Sequence, residues 1–213
     1  MPFTNISEKD KEKLIDLLKG HIYTFNKNEE ILTTIRAKNI ICIVLEGSCQ
    51  IIKTTYNGDE IIIENLKDNS IFSSNFSDID SLDTIIMAKS KVKILVFNYN
   101  FIMNFESNLL IYNTFIKNLF RILNQKTKDR LYQMRILYKK NIRDKLLEYF
   151  EIEYEQNHSK YIDLKMPLKD FADYIGANRS AMFRELKNLK EDKIIELKNK
   201  RITLLYKNKD LIY

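Results

Sequence analysis

The apolar residues of this chain change their spacing once, near residue 108, and this change limits the folds open to it. Before that point, short runs rich in β-branched residues alternate with turn residues. After it, apolar residues recur every three or four positions. The first pattern predicts strands and the second predicts helices. Because the two kinds of segment follow one another rather than interleave, the sequence predicts an α+β fold instead of a parallel α/β sheet.

The N-terminal part of the chain, residues 1–106, is predicted to be an antiparallel β-roll or jelly-roll domain of the sensor type. Four runs have strand character, over residues 40–45, 49–56, 60–65 and 84–97. Turn residues separate the first three runs, at Glu46-Gly47-Ser48 and at Asn57-Gly58, and Asn-Gly is typical of a hairpin turn. An opening helix over residues 8–18 is expected to pack on this domain.

One long helix is predicted over residues 107–138. Its apolar stripe comprises Leu109, Tyr112, Ile116, Leu119, Leu123, Thr127, Leu131, Met134 and Tyr138. Since a β domain of this size cannot cover a helix of ~30 residues alone, we expect the stripe to meet the same stripe of a second copy. The alternative is that the helix lies along its own β domain.

A short helix, a tight turn and a second helix are predicted between residues 167 and 195. Phe171 gives the first helix an apolar face, and Ala172 is small where the second helix must cross closely. Gly176 can adopt the left-handed conformation that ends a helix, and Asn178 is a suitable N-cap for the next. This arrangement is a helix-turn-helix.

The second of these helices separates an apolar face from a polar and basic one. Its buried positions are predicted to be Met182, Leu186 and Leu189. Two strands over residues 193–197 and 201–205 are expected to form a hairpin wing. Because a helix fits the major groove and a basic wing can reach flanking phosphates, residues 139–213 are predicted to be a winged helix-turn-helix domain that binds double-stranded DNA. The alternative is a helical hairpin that contacts proteins.

The charge of the chain is unevenly distributed and agrees with this prediction. The formal net charge is +6, but residues 1–105 carry 12 basic and 14 acidic side chains, whereas residues 139–213 carry 17 and 13. A basic C-terminal domain is expected of a protein that binds the phosphate backbone.

These motifs resemble the Crp/Fnr family of bacterial transcription regulators over nearly the whole chain. Residues 45–48 resemble the Leu-x-Gly-x turn of the family's cyclic-nucleotide-binding-type β-roll, and residues 57–60 resemble its Gly-x-Glu hairpin. Residues 176–186 are similar to its recognition helix, Gly-x-x-Arg-x-x-x-x-Arg-x-Leu, and residues 107–138 resemble its dimerisation helix.

The resemblance implies a homodimeric, sequence-specific regulator of transcription that is not an enzyme. Its partners would be an inverted-repeat operator in double-stranded DNA and a second copy of itself, and the resemblance also allows RNA polymerase. Arg179 and Arg184 would be the base and phosphate contacts. The full set of expected DNA-binding residues is Arg179, Ser180, Phe183, Arg184, Lys187, Lys198 and Lys200.

The chain departs from the family where nucleotide-binding members hold the phosphate. Phe72-Ser73-Ser74 stands in place of Phe-Gly-Glu, and Leu82-Asp83 in place of Arg-Ser. Loss of the arginine removes a charge-assisted hydrogen bond and Asp83 adds repulsion, so cyclic AMP is not expected to bind. A pocket for a different effector, if one exists, would be lined by Phe72, Ser73, Ser74, Leu82, Asp83, Asn124, Thr127 and Lys128.

Other classes of function are less compatible with this composition. Two cysteines and two histidines predict no metal centre, and the oxygen-sensing branch of the family needs four cysteine ligands. The absence of a signal-peptide pattern and of an apolar run of about 18 residues predicts a cytoplasmic protein with no membrane partner. Two alternatives remain: a jelly-roll small-molecule-binding protein or enzyme, and an interaction module that no longer recognises DNA. The sequence identifies neither the effector nor the operator.

Overall fold

The computed structural model describes residues 1–31, 39–74, 79, 83–106, 108–164, 166–198 and 201–205. The chain divides into two compact units, residues 1–123 and 124–213. A 28-residue helix, Leu110–Leu137, runs from one unit into the other and contributes side chains to the core of each. The sequence-based division at residues 106 and 138 instead treats this helix as a part of its own.

The first unit is built on two antiparallel sheets, as predicted. The elements are α1 Glu8–Leu17, β1 His21–Phe25, β2 Ile40–Glu46, β3 Ser48–Thr54, β4 Glu60–Lys67, β5 Ile71–Ser73, β6 Thr84–Ala88, β7 Val92–Asn98 and α2 Tyr99–Met103. The four-stranded sheet has the order β1-β7-β2-β5 and the three-stranded sheet the order β4-β3-β6.

The run over residues 84–97, predicted as one strand, is two strands in different sheets. The backbone N–H groups of Lys89 and Ser90 both donate to the carbonyl of Ser48, at 2.9 and 3.3 Å. This turn ends β6 on the three-stranded sheet and starts β7 on the four-stranded one. The chain therefore crosses between sheets where the sequence shows only continuous strand character.

Both faces of β2 and β7, the central strands of the four-stranded sheet, are buried. Cys42 and Ile94 face the core between the two sheets, whereas Ile43 and Leu95 face a second core formed with α1 and the long helix. Long runs of apolar residues in β2 and β7 are the consequence, because neither face of these strands meets water.

The long helix, α3 (Leu110–Leu137), packs against the first unit along its N-terminal half. Phe115 and Leu119 are buried in the core of the first unit, and the Tyr112 hydroxyl donates to the carbonyl of Ile102 at 2.9 Å. The N-terminal half of the predicted stripe thus packs on its own β domain, which corrects the expectation that it meets a second copy. The alternative stated above holds for this half.

A separate face of α3 is exposed. Its positions are spaced alternately by three and four residues and comprise Leu110, Asn113, Lys117, Phe120, Asn124, Thr127, Leu131, Met134 and Tyr138. Phe120 is 64% exposed and Leu131 55%. We call these nine positions the exposed seam; it shares Thr127, Leu131, Met134 and Tyr138 with the predicted stripe.

The second unit contains the helix-turn-helix. Its elements after α3 are α4 Ile142–Asn157, β8 Tyr161–Asp163, α5 Leu168–Tyr174, α6 Arg179–Glu191, β9 Ile195–Lys198 and β10 Arg201–Leu204. The three strands form one antiparallel sheet of order β8-β10-β9. The first of them, β8, was not predicted, because a three-residue run with one buried side chain, Ile162, carries little strand signal.

A buried glutamate joins α4 to the end of α3. Glu148 of α4, only 7% exposed, accepts a hydrogen bond from Arg135 Nε at 2.8 Å and pairs with Lys139 Nζ at 2.9 Å, which ties α4 to the end of α3. Among the helices that are described in either unit, none is long and apolar enough to cross a membrane.

Candidate nucleic-acid interface

The turn between α5 and α6 has the geometry that the sequence predicts. Gly176 has φ +59°, in the left-handed region, and the N–H of Ala177 donates to the carbonyl of Ala172 at 2.9 Å. The side-chain oxygen of Asn178 accepts from the N–H of Ser180 at 3.0 Å and from that of Ala181 at 3.4 Å. Gly176 thus ends one helix and Asn178 caps the next.

The two faces of α6 are as distinct as predicted. Met182, Leu186 and Leu189 are at most 2% exposed and pack in the core of the second unit. The solvent face carries the five expected DNA-binding residues of this helix, Arg179, Ser180, Phe183, Arg184 and Lys187, all of them exposed. An apolar anchor under a polar and basic face leaves that face available to a partner.

Two local contacts organise the start of this face. The guanidinium carbon of Arg179 lies 5.8 Å from the centre of the Phe183 ring, a cation–π arrangement one helical turn apart. The hydroxyl of Ser180 donates to Asn178 Oδ1 at 2.7 Å and therefore supports the cap. Phe183 remains 38% exposed, so its ring is accessible beside the arginine.

The wing is held to β8 by an ion pair. Arg201 in β10 donates to both carboxylate oxygens of Asp163, at 2.7 and 3.0 Å. This bidentate contact lowers the pKa of the Asp163 carboxyl and raises that of the Arg201 guanidinium. Lys198, at the end of β9, is exposed, and Lys200 lies outside the described residues.

A groove of about 1100 Å³ runs between the start of α4 and α6, and basic side chains border it. Lys140, Lys145, Arg184 and Lys187 all line this groove. The ammonium group of Lys145 donates to the carbonyl of Gly176 at 3.1 Å, which holds it against the turn of the helix-turn-helix.

One arginine partly offsets the charge of two acidic residues near this groove. Arg143 of α4 donates to Asp192 at 2.7 Å and to Glu185 at 3.1 Å, at the two ends of the C-terminal half of α6. The hydrogen bond to Asp192, with that to Glu185, raises the pKa of Arg143. Sequence reasoning missed Lys140, Lys145 and this clamp, although Lys139-Lys140 directly before the N-cap Asn141 was an available signal.

The predicted effector-pocket residues in the first unit are packed against their own domain. Phe72 and Ser73 are fully buried. The hydroxyl oxygen of Ser74 accepts from the N–H of Ile40 at 3.1 Å, and the Asp83 carboxylate lies 3.6 Å from the Lys53 ammonium. Leu82 lies outside the described residues.

The remaining three residues of that predicted pocket, Asn124, Thr127 and Lys128, belong to the second unit. All are exposed on α3. Lys128 lies over the ring of Tyr132, with 5.5 Å from Nζ to the ring centre. Because the two sets belong to different units, the pocket stays a prediction.

The two cysteines lie in the core of the first unit. Cys42 and Cys49 are buried, and burial raises the pKa of Cys49 to about 12 and also raises that of Cys42. Neither thiol is therefore reactive at neutral pH. Within the described ranges, no group of three or more His, Cys, Asp or Glu side chains could hold a metal ion.

A known family model matches the C-terminal domain. Residues 143–209 match the family model of the Crp-like helix-turn-helix domain. The chain is also 26% identical over 196 residues to ycf28 of Porphyra purpurea, a candidate HTH-type transcriptional regulator, with 86% of this chain and 77% of that protein covered.

Solved structures share the fold of the chain. A CooA variant from Carboxydothermus hydrogenoformans matches with a TM-score of 0.58 and 20% identity, covering 89% of this chain and 85% of that one. CprK in complex with OCPA matches with a TM-score of 0.64 and 16% identity, covering 91% and 89%. The predicted combination of a β-roll domain, a long helix and a winged helix-turn-helix is thereby confirmed.

Proposed function

We propose that this chain, a DNA-binding transcription regulator of the Crp/Fnr type with a Crp-like helix-turn-helix domain at residues 143–209, acts as a homodimer on an inverted-repeat operator. The observation that carries the proposal is the exposed face of α6, where Arg179, Arg184 and Lys187 project from a helix whose opposite face is buried. A helix with this division fits the major groove.

Each residue of the face has a specific part in this proposal. Arg179 reads a base edge, because the Phe183 ring beside its guanidinium restricts the side chain and leaves its N–H groups free to donate to guanine O6 and N7. Phe183 itself offers an apolar surface to a thymine methyl group. Arg184 and Lys187 neutralise the phosphates that border the groove.

The phosphate contacts extend to both sides of α6. Lys140 and Lys145 line the groove that also contains Arg184, and the Arg143 clamp offsets part of the acidic charge that would repel DNA there. We expect Lys198 and Lys200 of the wing to add contacts to the flanking backbone. Such contacts position the protein and contribute much of its affinity without reading sequence.

The homodimer is formed through the exposed seam of α3. Positions alternating by three and four residues are the spacing that two helices need to pack along a shared seam. Leu110, Phe120, Leu131 and Tyr138 are large side chains on it, each between 55% and 80% exposed in the single chain. A parallel pair places two copies of α6 on half-sites one helical turn, about 34 Å, apart.

The compartment and the partner of the protein follow from the same proposal. It acts in the cytoplasm and is not an enzyme, and RNA polymerase is a partner where the protein is bound beside a promoter. Its effector, if it has one, is not a cyclic nucleotide. Ser73, Ser74 and Asp83 stand in the phosphate cassette, the segment where nucleotide-binding members hold the phosphate, and they lack the groups that do so.

A gel-shift experiment with the DNA upstream of the chain's own gene tests the proposal. We expect one retarded complex that resists an excess of random competitor DNA and is weakened by R179A. An interaction module would retard no DNA at any concentration that keeps the protein soluble. Equal retardation of operator and random DNA would contradict sequence-specific recognition.

A further inference from the structure

The first unit contains a cleft that is separate from the phosphate cassette. It has a volume of about 700 Å³ and lies between the end of α1, the edge of the four-stranded sheet and α2. Clefts of roughly 300–1,000 Å³ with apolar walls and a few polar groups are typical of small-molecule sites. The lining includes none of the cassette residues Phe72, Ser73, Ser74 or Asp83.

Aromatic side chains form the walls of this cleft. Phe101 and Phe105 are half-buried, with 5.8 Å between their ring centres. The buried side chain of Phe97, which belongs to the same hydrophobic core as these two rings, contributes the floor. A planar apolar body can therefore stack in the cleft, since offset aromatic contacts form at ring distances of about 4.5–7 Å.

A cation is held at the rim of the aromatic wall. The ammonium group of Lys19 lies 5.1 Å from the centre of the Phe101 ring. Lys19 has φ +52°, and the next residue must be glycine, because a Cβ on Gly20 would come within 2.6 Å of the Phe97 ring. Among the described side chains, no carboxylate lies within ion-pairing distance of Lys19. Its charge is thus available to a ligand.

The rest of the rim is polar and mostly uncharged. Asn98, Asn100 and Asn104 supply amides, and His21 follows Lys19 by two positions in the chain. Glu106 is the one acidic residue of the described lining, and it is exposed. The combination of a planar apolar interior with a lysine at its edge matches a ligand that has an aromatic ring at one end and a negative charge at the other.

We infer that this cleft binds a small aromatic carboxylate, with its ring against Phe101 and Phe105 and its carboxylate at Lys19. The inference concerns binding alone and does not depend on DNA recognition.

The cleft also has a route to the long helix within the same unit. The Phe105 ring lies 5.1 Å from that of Tyr112 in α3, and the Tyr112 hydroxyl holds the carbonyl of Ile102 in α2. A ligand that changes the packing of Phe105 therefore changes the support of α3. This regulatory step rests on the proposed function, because α3 is there the dimerisation helix. An effector acts only through its differential affinity for two states.

Isothermal titration of the full chain with 2-naphthoate and with its neutral analogue, 2-naphthamide, tests the binding. We expect saturable binding of naphthoate and at least about tenfold weaker binding of the amide, since the charged hydrogen bond to Lys19 is lost. K19M should weaken naphthoate binding to the same extent. E106Q should strengthen it by about twofold to threefold, because a like charge near the mouth is removed.

Two further variants complete the test. K91M removes an exposed lysine of the same unit that does not line the cleft and should leave binding unchanged. N104W places a large side chain in the cleft and should abolish binding of both ligands. No saturable heat with naphthoate, or equal affinity in wild-type protein, K19M and N104W, would overturn the inference.

A gel shift of the same protein samples separates this inference from the proposed function. Naphthoate should change operator affinity in wild-type protein and leave that of N104W unchanged. Binding of naphthoate without any effect on operator affinity would confirm the site and overturn its regulatory role. Absence of DNA binding in wild-type protein would contradict the proposed function and leave the calorimetric result valid.

Discussion

Arg179 and Arg184 lie on one face of α6 yet have different expected roles. Replacement of either by alanine should weaken operator binding by about 1–3 kcal/mol without unfolding the protein, because both side chains are exposed. Arg179→Ala should also relax the preference between operator and random DNA, since we propose Arg179 as the base contact. Competition gel shifts measure both quantities. Lys13→Ala, an exposed lysine of α1, is the charge-matched control. Equal losses on operator and random DNA for both arginines would demote them to phosphate contacts.

Arg143 is expected to position α6 rather than to contact DNA. It joins α4 to Glu185 and Asp192, and this network holds the recognition helix at a set angle. Arg143→Met should lower operator affinity while the slope of log affinity against log salt stays unchanged, because no phosphate contact is lost. Its cost in unfolding free energy should be about 1 kcal/mol or less, since the pair is partly exposed. A slope that falls by about one would show a direct phosphate contact.

Lys140 and Lys145 provide the opposite case. Alanine at either position should weaken binding to operator and random DNA alike and reduce the salt slope by about one, because each lysine neutralises a phosphate. Titrations at several salt concentrations measure this slope. Lys13→Ala again serves as control and should leave the slope unchanged. An unchanged slope in both lysine variants would remove the groove from the DNA interface.

At the level of elements, α3 serves two surfaces. Phe115, Leu119 and Ile136 are buried within their own units, whereas Phe120 and Leu131 of the exposed seam face solvent. A helix that packs on its own chain along one side and keeps a heptad-spaced seam on another has the surface a dimer requires. We therefore propose that the helix serves both folding and assembly.

A charge on the exposed seam should dissociate the dimer. Leu131→Asp is expected to give a monomer at micromolar concentration and to weaken operator binding, because an unpaired carboxylate would be buried between the helices. Gln125→Glu adds a negative charge off the seam and should remain dimeric. Analytical ultracentrifugation measures the assembly of both variants. A monomeric wild-type protein that still binds the operator tightly would contradict the seam.

For the whole molecule, cyclic nucleotides are expected to be inert. Asp83, whose carboxylate lies 3.6 Å from Lys53, would repel a phosphate, and the serines at positions 73 and 74 offer no charge to hold one. Calorimetric titration with cyclic AMP and cyclic GMP should give no saturable heat, and neither should change operator affinity in a gel shift. Binding at micromolar concentration that is lost on substitution within residues 73–83 would show that this segment does hold a phosphate and would contradict the prediction.

Local sequence patterns were sufficient for much of this protein. The helix-turn-helix was predictable residue by residue, because Gly176, Asn178 and the spacing of Met182, Leu186 and Leu189 each act within one or two helical turns. The hairpin between β3 and β4 was predictable for the same reason: its loop, residues 55–59, contains Asn57-Gly58, and Gly58 has φ +86°, which glycine adopts without strain. In these segments the backbone conformation depends on neighbouring residues alone.

Features that depend on residues distant in the chain needed the tertiary structure. The apolar periodicity of α3 does not reveal which stripe its own β domain covers, because several stripes of the helix are apolar and Phe115 packs against Phe3 and Phe97, which are far from it in sequence. The Arg143 clamp joins residues 42 and 49 positions apart, and the aromatic cleft combines α1, the sheet and α2. Long-range packing chooses among surfaces that local periodicity leaves equivalent.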